Sequence, residues 1–291
     1  MTLSVALRLG RVSNLPTIWS NTLAATVLAG GEPWVFSTLV AAIGISLLYV
    51  AGMYLNDAFD RDIDARERPS RPIASGLVSA NTVFAAGFGL MLGGLAFVLW
   101  AGTMAGGANA WRPMLAALLL AGAILFYDWN HKGNALSPLF MGLCRVLGYL
   151  TAGYAAIAAP SFGLFLIALV SLSYLIGLTY IAKQEAFDRV GAVWPLVFLA
   201  APVAYSIAYA SSGAWYMAVL VAALVAWIGV ALFFLWRRRP GDVGKAVAGL
   251  IAGISLVDAI FLAGDGAVSA AFVAAACFIA TCILQRFVAG T

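Results

Sequence analysis

Asn56, Asp60 and Asp64 are spaced i, i+4 and i+8. On a helix that continues through them, each step turns the side chain by only about 40°. The three oxygen-bearing groups then form one stripe, with Asp57 at its edge. Hard oxygen ligands of this kind suit Mg2+, which takes one or two carboxylates and completes its shell with water and substrate phosphate. Asp57, Asp60, Asp62 and Asp64 lie close enough to repel one another unless something cationic sits among them. Arg66, Arg68 and Arg71 follow immediately. Asp62 points away from the stripe and reads as a solvated side chain.

Other chemistry-bearing groups recur along the chain. Tyr127, Asp128, His131 and Lys132 form one cluster; its Tyr hydroxyl and Lys ammonium both donate hydrogen bonds, although Tyr, Trp and Lys also mark an ordinary membrane interface. Arg145 stands alone in an apolar run, where an arginine is costly and faces a cavity or an ionic partner. Lys183-Gln184-Glu185 and Asp188-Arg189 form a further group; Glu185 and Asp188, at i and i+3, share a helix face. Asn14 and Asn21, seven apart, share a face of the first apolar run and either bridge helices or meet a ligand. Asp258 has no partner near it in sequence, leaving it to pair with Arg145 or to stay neutral. His131 is the single histidine, so no His-rich metal site can be built. Cys144, Cys277 and Cys282 all fall in apolar runs without a CxxC pair, as small hydrophobes do.

The elements that must hold these groups are membrane spans. Hydrophobic residues make up 64% of the 291 and charged ones only 10%, with a mean hydropathy of +0.99, against roughly 25% charged residues in ordinary globular chains. That excludes soluble, disordered and collagenous classes. It also makes the net charge of +4 a matter of loops rather than of nucleic acid. Apolar stretches near 12–30, 34–55, 80–101, 111–127, 137–159, 162–182, 190–210, 213–236, 243–262 and 267–288 give ten candidate spans, with nine as the alternative. The first of them lacks a small-residue cleavage site and reads as a span rather than a leader. Gly87, Gly89, Gly93 and Gly94, and Gly249 with Gly253, suit close helix contact. With the N-terminus inside, all but two of the 16 Lys and Arg, namely Arg112 and Arg145, fall on the cytoplasmic side. Most acids fall there too, so the chemistry belongs at that face. The expectation is a single all-α domain over 1–291, a polytopic helix bundle lying in lipid with its N-terminus and aspartate stripe cytoplasmic.

Asn56-xxx-Asp60-xxx-Asp64, followed by Arg68-Pro-Ser-Arg71-Pro-Ile-Ala-Ser-Gly76, resembles the first aspartate motif of the UbiA superfamily of intramembrane prenyltransferases. The resemblance covers essentially the whole chain. It implies a bundle usually of nine spans that binds a polyprenyl diphosphate through Mg2+ and transfers the prenyl group to an acceptor, often aromatic. Asn56, Asp60 and Asp64 would hold Mg2+. Arg71, Tyr127, Lys132 and Arg145 would contact the diphosphate, although Arg145 could instead pair with Asp60 or Asp128. The family often has Lys four residues after this Tyr; here His131 stands there, with Lys132 next. The family's second motif, Asp-xxx-Asp, becomes Gln184 and Asp188. Glu185 with Asp188 would have to hold a second Mg2+ and accept the acceptor's proton. This departure is similar to the EboC-like branch. Tyr54, Phe59 and Tyr127 are candidates to shield an allylic cation. Two other readings compete: a UbiA-like protein that binds or carries an isoprenoid without turnover, favoured by the altered second motif, and a secondary transporter, disfavoured because its polar groups would sit near the midplane.

Overall fold

The computed structural model describes residues 1–104, 109–184, 193–209 and 215–290. Among them every regular element is helical: α1 (Leu3–Leu9), a 3-10 turn (Val12–Asn14), α2 (Leu15–Ala29), α3 (Phe36–Phe59), α4 (Arg61–Glu67), α5 (Ala80–Met104), α6 (Trp111–Asn130), α7 (Ser137–Ala156), α8 (Phe162–Ala182), a 3-10 stretch (Trp194–Ala200) running into α9 (Ala201–Tyr209), α10 (Trp215–Arg237), α11 (Asp242–Gly264) and α12 (Val268–Leu284). Over the described residues, each of the ten expected spans coincides mainly with helix. Seven of these helices, α3, α5, α6, α7, α8, α10 and α11, are long and apolar enough to cross a membrane. The other three, α2, the 3-10 stretch with α9, and α12, are shorter.

Local chemistry sets the ends. Pro16 opens α2, and Gly30 closes it at φ 95°, a left-handed cap whose N–H returns to the carbonyls of Thr26 and Val27. Ser161 caps α8 by accepting from Gly163 N–H at 3.1 Å, and its hydroxyl donates to the Leu28 carbonyl at 2.5 Å, tying α8 to the end of α2. α11 runs through the middle of the bundle, with residues from Ala252 to Ala263 almost wholly enclosed. α5 and α10 lie outside and present Leu92, Trp100, Val219 and Trp236 outward, as lipid-facing helices should.

The glycine run on α5 divides. A Cβ at Gly94 would stand 2.8 Å from the Gly44 carbonyl oxygen, and one at Gly87 would stand 2.8 Å from Leu55, so these two let α5 lie directly on α3. Gly89 faces open space, and Gly93 meets its neighbour only at an ordinary distance. On α11, Gly253 accommodates the Tyr174 hydroxyl, 2.7 Å from where its Cβ would be.

Candidate active site

α3 presents Tyr49, Gly52, Met53 and Asn56 to a cavity of about 850 Å3, one face at i, i+3, i+4 and i+7. Tyr54 lies on the opposite face, and Phe59, the last residue of the helix, turns aside to α5. Tyr54 donates to the Ala6 carbonyl and packs with α1, and Phe59 packs edge-on against Phe84. Neither ring lines the cavity, which corrects the expectation that they shield a cation. Tyr49 and Tyr127 are the tyrosines that do line it.

The helix does not run unbroken through the stripe. α3 ends at Phe59, Asp60 adopts φ −78° and ψ −4°, and α4 starts at Arg61. The hydrogen-bond spacing survives the break: Asp60 N–H donates to the Asn56 carbonyl at 3.0 Å and Asp64 N–H to the Asp60 carbonyl at 2.8 Å. Asn56, Asp60 and Asp64 therefore stay aligned, and all three are buried. The cations required among the acids are present. Arg71 Nη1 bridges Asp57 at 2.8 Å and Asp64 at 2.9 Å, and Lys132 Nζ and His131 Nε2 each approach Asp60 Oδ2 to 3.4 Å. Asp62 is exposed and pairs with Arg61, as a solvated residue should.

Arg11 completes the arrangement. Its backbone is left-handed at φ 41°, unusual for a residue with a Cβ, and turns the chain between α1 and the 3-10 turn. Its guanidinium reaches Asp57 Oδ1 at 3.3 Å and Asn56 Oδ1 at 3.5 Å. Asn56 Nδ2 donates to Asp128 Oδ1 at 3.2 Å, so Asp128 fixes which end of the amide faces which way. Arg11 is a participant that sequence reasoning took for a loop charge, and Asp128, already grouped with Tyr127 and Lys132, gains Asn56 as its partner.

Burial pushes the carboxyls of both Asp60 and Asp64 upward. At Asp60 the His131 hydrogen bond and charge, with Lys132 and Arg71, outweigh burial and leave it below the usual range. At Asp64 burial prevails over Arg71, aided by the charges of Asp60 and Asp57, and it ends above that range. Burial lowers Lys183, whose ammonium donates to the Asn134 carbonyl at 2.6 Å.

The donor set fits a hard divalent cation. Asp64 Oδ1 and Asp128 Oδ2 are buried oxygens with no hydrogen-bond partner among the described residues, and a cation would satisfy them. Those residues contain no preformed cluster of three acidic, His or Cys ligands. That accords with Mg2+, which leaves much of its shell to water and phosphate.

Tyr127 stacks its ring on His131 at 4.8 Å and, with Lys132 and Arg71, borders the same cavity. Arg145 also lines it, but farther in. Its ionic partner is Asp258, at 3.2 Å, rather than Asp60 or Asp128. Asp258 is thereby an ionic partner held between Arg145, the Ser20 hydroxyl at 2.6 Å and the Tyr149 hydroxyl. Asn14 bridges elements, donating to Tyr49 Oη and to the Gly290 carbonyl. Glu185 and Asp188 lie outside the described residues.

The family model described as UbiA prenyltransferase family matches residues 14–254. A 4-hydroxybenzoate octaprenyltransferase of Shewanella sediminis is 28% identical over 151 residues, 48% of this chain and 49% of that protein. The chain thus spans about half the length of the curated relatives it matches. The apo structure of a UbiA homologue from Aeropyrum pernix K1 superposes with a TM-score of 0.64 at 23% identity, covering 85% of this chain and 96% of that one. A UbiA homologue from Archaeoglobus fulgidus, bound to DMAPP and Mg2+, superposes with a TM-score of 0.54 at 16% identity, covering 91% and 99%. At such identities the structural likeness concerns the fold.

Proposed function

The chain belongs to the UbiA prenyltransferase family, an integral membrane helix bundle, and we propose that it transfers a prenyl group from a polyprenyl diphosphate to an acceptor, with Mg2+ held by Asn56, Asp60 and Asp64. The observation that carries this reading is the buried stripe, of which Asn56 and Asp60 line an apolar cavity, with unpartnered carboxylate oxygens on Asp64 and Asp128. The named activity of the Shewanella relative and the ligands of the Archaeoglobus homologue support it.

Bound Mg2+ would supply charge neutralisation for the diphosphate leaving group. The chain's own residues do the rest. Arg71, Lys132 and the Tyr127 hydroxyl donate to phosphate oxygens as charge develops on the leaving oxygen. The C1–O bond of the prenyl diphosphate breaks, C1 bonds to the acceptor, and the acceptor loses a proton. The faces of Tyr49 and Tyr127 shield the allylic carbon from water. Ile18, Leu175, Leu178 and Ile254 line the cavity beyond and give the isoprenoid an apolar bed. Glu185 and Asp188 would hold a second Mg2+, and one of them would take up the acceptor's proton; Glu185→Gln should then reduce turnover far more than diphosphate binding. The N-terminus and the cavity mouth face the cytoplasm.

Product analysis with radiolabelled geranylgeranyl or farnesyl diphosphate and a lipid-extract acceptor pool, with and without Mg2+, tests the reading. A prenylated product that requires Mg2+ is expected. Diphosphate binding with no product from either donor would leave a binder or carrier instead.

A further inference from the structure

Three hydrogen-bond donors in the cavity wall, on Asn21, Arg145 and Thr179, lack a partner among the described residues, and the first two stand on neighbouring helices. Asn21 is 1% exposed, and neither its Nδ2 nor the Nε of Arg145 has a partner among the described residues. They belong to facing helices. Arg145 Nη2 donates at 2.8 Å to the Thr17 carbonyl, one turn before Asn21 on α2. Gly148, one turn past Arg145 on α7, has its Cβ position 3.4 Å from Asn21 Oδ1. Asn21, Arg145 and Gly148 all line the cavity. Buried donors without acceptors are rare in native proteins, and two of them side by side at a cavity wall call for an oxygen from something bound there.

The charge at this place is already matched. Arg145 pairs with Asp258, which is fully buried and also takes the Ser20 and Tyr149 hydroxyls. Other basic groups around the cavity are paired as well, Arg11 with Asp57, Arg71 with Asp57 and Asp64, and Lys132 with Asp60. A carboxylate brought to the inner end would lose its water, lie near Asp258 and find no cation of its own. A carbonyl, ether or hydroxyl oxygen would accept from Asn21 and Arg145 with no such cost. The prenyl tail has no oxygen to offer. Arg145 is eight residues into α7, roughly 12 Å from its start at the rise of a helix.

We propose that Asn21 and Arg145 form the subsite for the head of the acceptor, and that this acceptor is uncharged and carries a hydrogen-bond-accepting oxygen. The inference rests on the prenyl-transfer reading. It sets the chain apart from its Shewanella relative, whose named substrate, 4-hydroxybenzoate, is a carboxylate.

The test compares 4-hydroxybenzoate with its methyl ester, which keeps the ring and phenol and removes the charge. Purified protein in lipid nanodiscs is given geranylgeranyl diphosphate and Mg2+ at neutral pH. The ester should be prenylated with kcat/KM at least tenfold above the acid. Asn21→Leu should raise KM for the ester at least tenfold while KM for the diphosphate stays within twofold. Arg145→Lys, which keeps the charge for Asp258 but removes Nε, should shift the same KM in the same direction. Equal or better use of the acid overturns the proposal. So does an ester KM indifferent to Asn21→Leu, which would mean that the donors serve only a bound water. Ester binding is also followed without turnover, in the presence of a non-hydrolysable diphosphate analogue. Saturable ester binding weakened by Asn21→Leu, with no product, upholds the subsite and overturns the prenyl-transfer reading. Diphosphate binding with no saturable ester binding overturns the subsite alone.

Discussion

The two ends of the Asn56 amide differ chemically, and Asp128 decides which way round it stands. Its carboxylate accepts from Nδ2 and so leaves Oδ1, which meets Arg11 only at 3.5 Å, as the end that can serve as a ligand. A hydrogen bond to a charged group is worth about 1.5–3 kcal/mol. Asp128→Asn should therefore weaken Mg2+-dependent diphosphate binding by roughly 10- to 100-fold. The exchanged pair, Asn56→Asp with Asp128→Asn, restores one donor facing one acceptor and should recover part of the loss. Titration of both variants with Mg2+ checks this, and an unaffected single variant would contradict it. Arg71 is read the same way. It neutralises Asp57 and Asp64 in a buried setting, and removing one partner of such a group costs about 3–5 kcal/mol. Arg71→Met should lower the melting temperature markedly without Mg2+ and regain more of it on adding Mg2+ than the wild type gains. At this scale the stripe was legible because its spacing is periodic. Arg11 was not, because a charge beside a span looks the same whether it orients the chain or turns inward; Asp128 was grouped with Tyr127 and Lys132, but its bond to Asn56, far away in sequence, was out of reach.

At the scale of elements, the spans were legible from hydropathy alone, since each needs an unbroken apolar run. Which face of each helix meets the cavity was not. A helix apolar all round carries little directional signal, and so Tyr54, which faces α1, and Phe59, which packs on Phe84, were both assigned to the cavity. The glycines show the same limit. Gly94 and Gly89 sit on one helix and look alike in sequence, yet only Gly94 touches the α3 backbone. Gly94→Val should push α5 off α3 and destabilise the bundle by about 1–3 kcal/mol, whereas Gly89→Ala should be nearly neutral. Thermal unfolding of the two in the same detergent tests the assignment, and equal shifts would refute it. The break at Asp60 was likewise invisible in the residues, since the i, i+4 spacing carries straight across it.

For the whole molecule, the asymmetry of charge is the organising feature. Arg11, Asp57, Asp60, Asp64, Arg71, Asp128 and Lys132 converge on one end of a bundle whose interior is otherwise nearly uncharged, apart from the Arg145–Asp258 pair. The proposed orientation rests on the same asymmetry. A cysteine at Ser70, beside the cavity mouth, should react with an impermeant thiol reagent from the cytoplasmic side, and one at Glu32, at the far end of α2, from the opposite side. Labelling of both from one side would mean that the crossings between them are miscounted. The central claim, that the aspartate stripe holds the diphosphate through Mg2+, is tested most directly by the affinity of the purified protein for a non-reactive geranylgeranyl diphosphate analogue across a Mg2+ titration, in the wild type, Asp60→Asn and Asp64→Asn. The expected result is tight binding by the wild type that collapses on chelation, and loss of the Mg2+-dependent component in each variant while both remain folded in the membrane. Unchanged affinity in the two folded variants would contradict it.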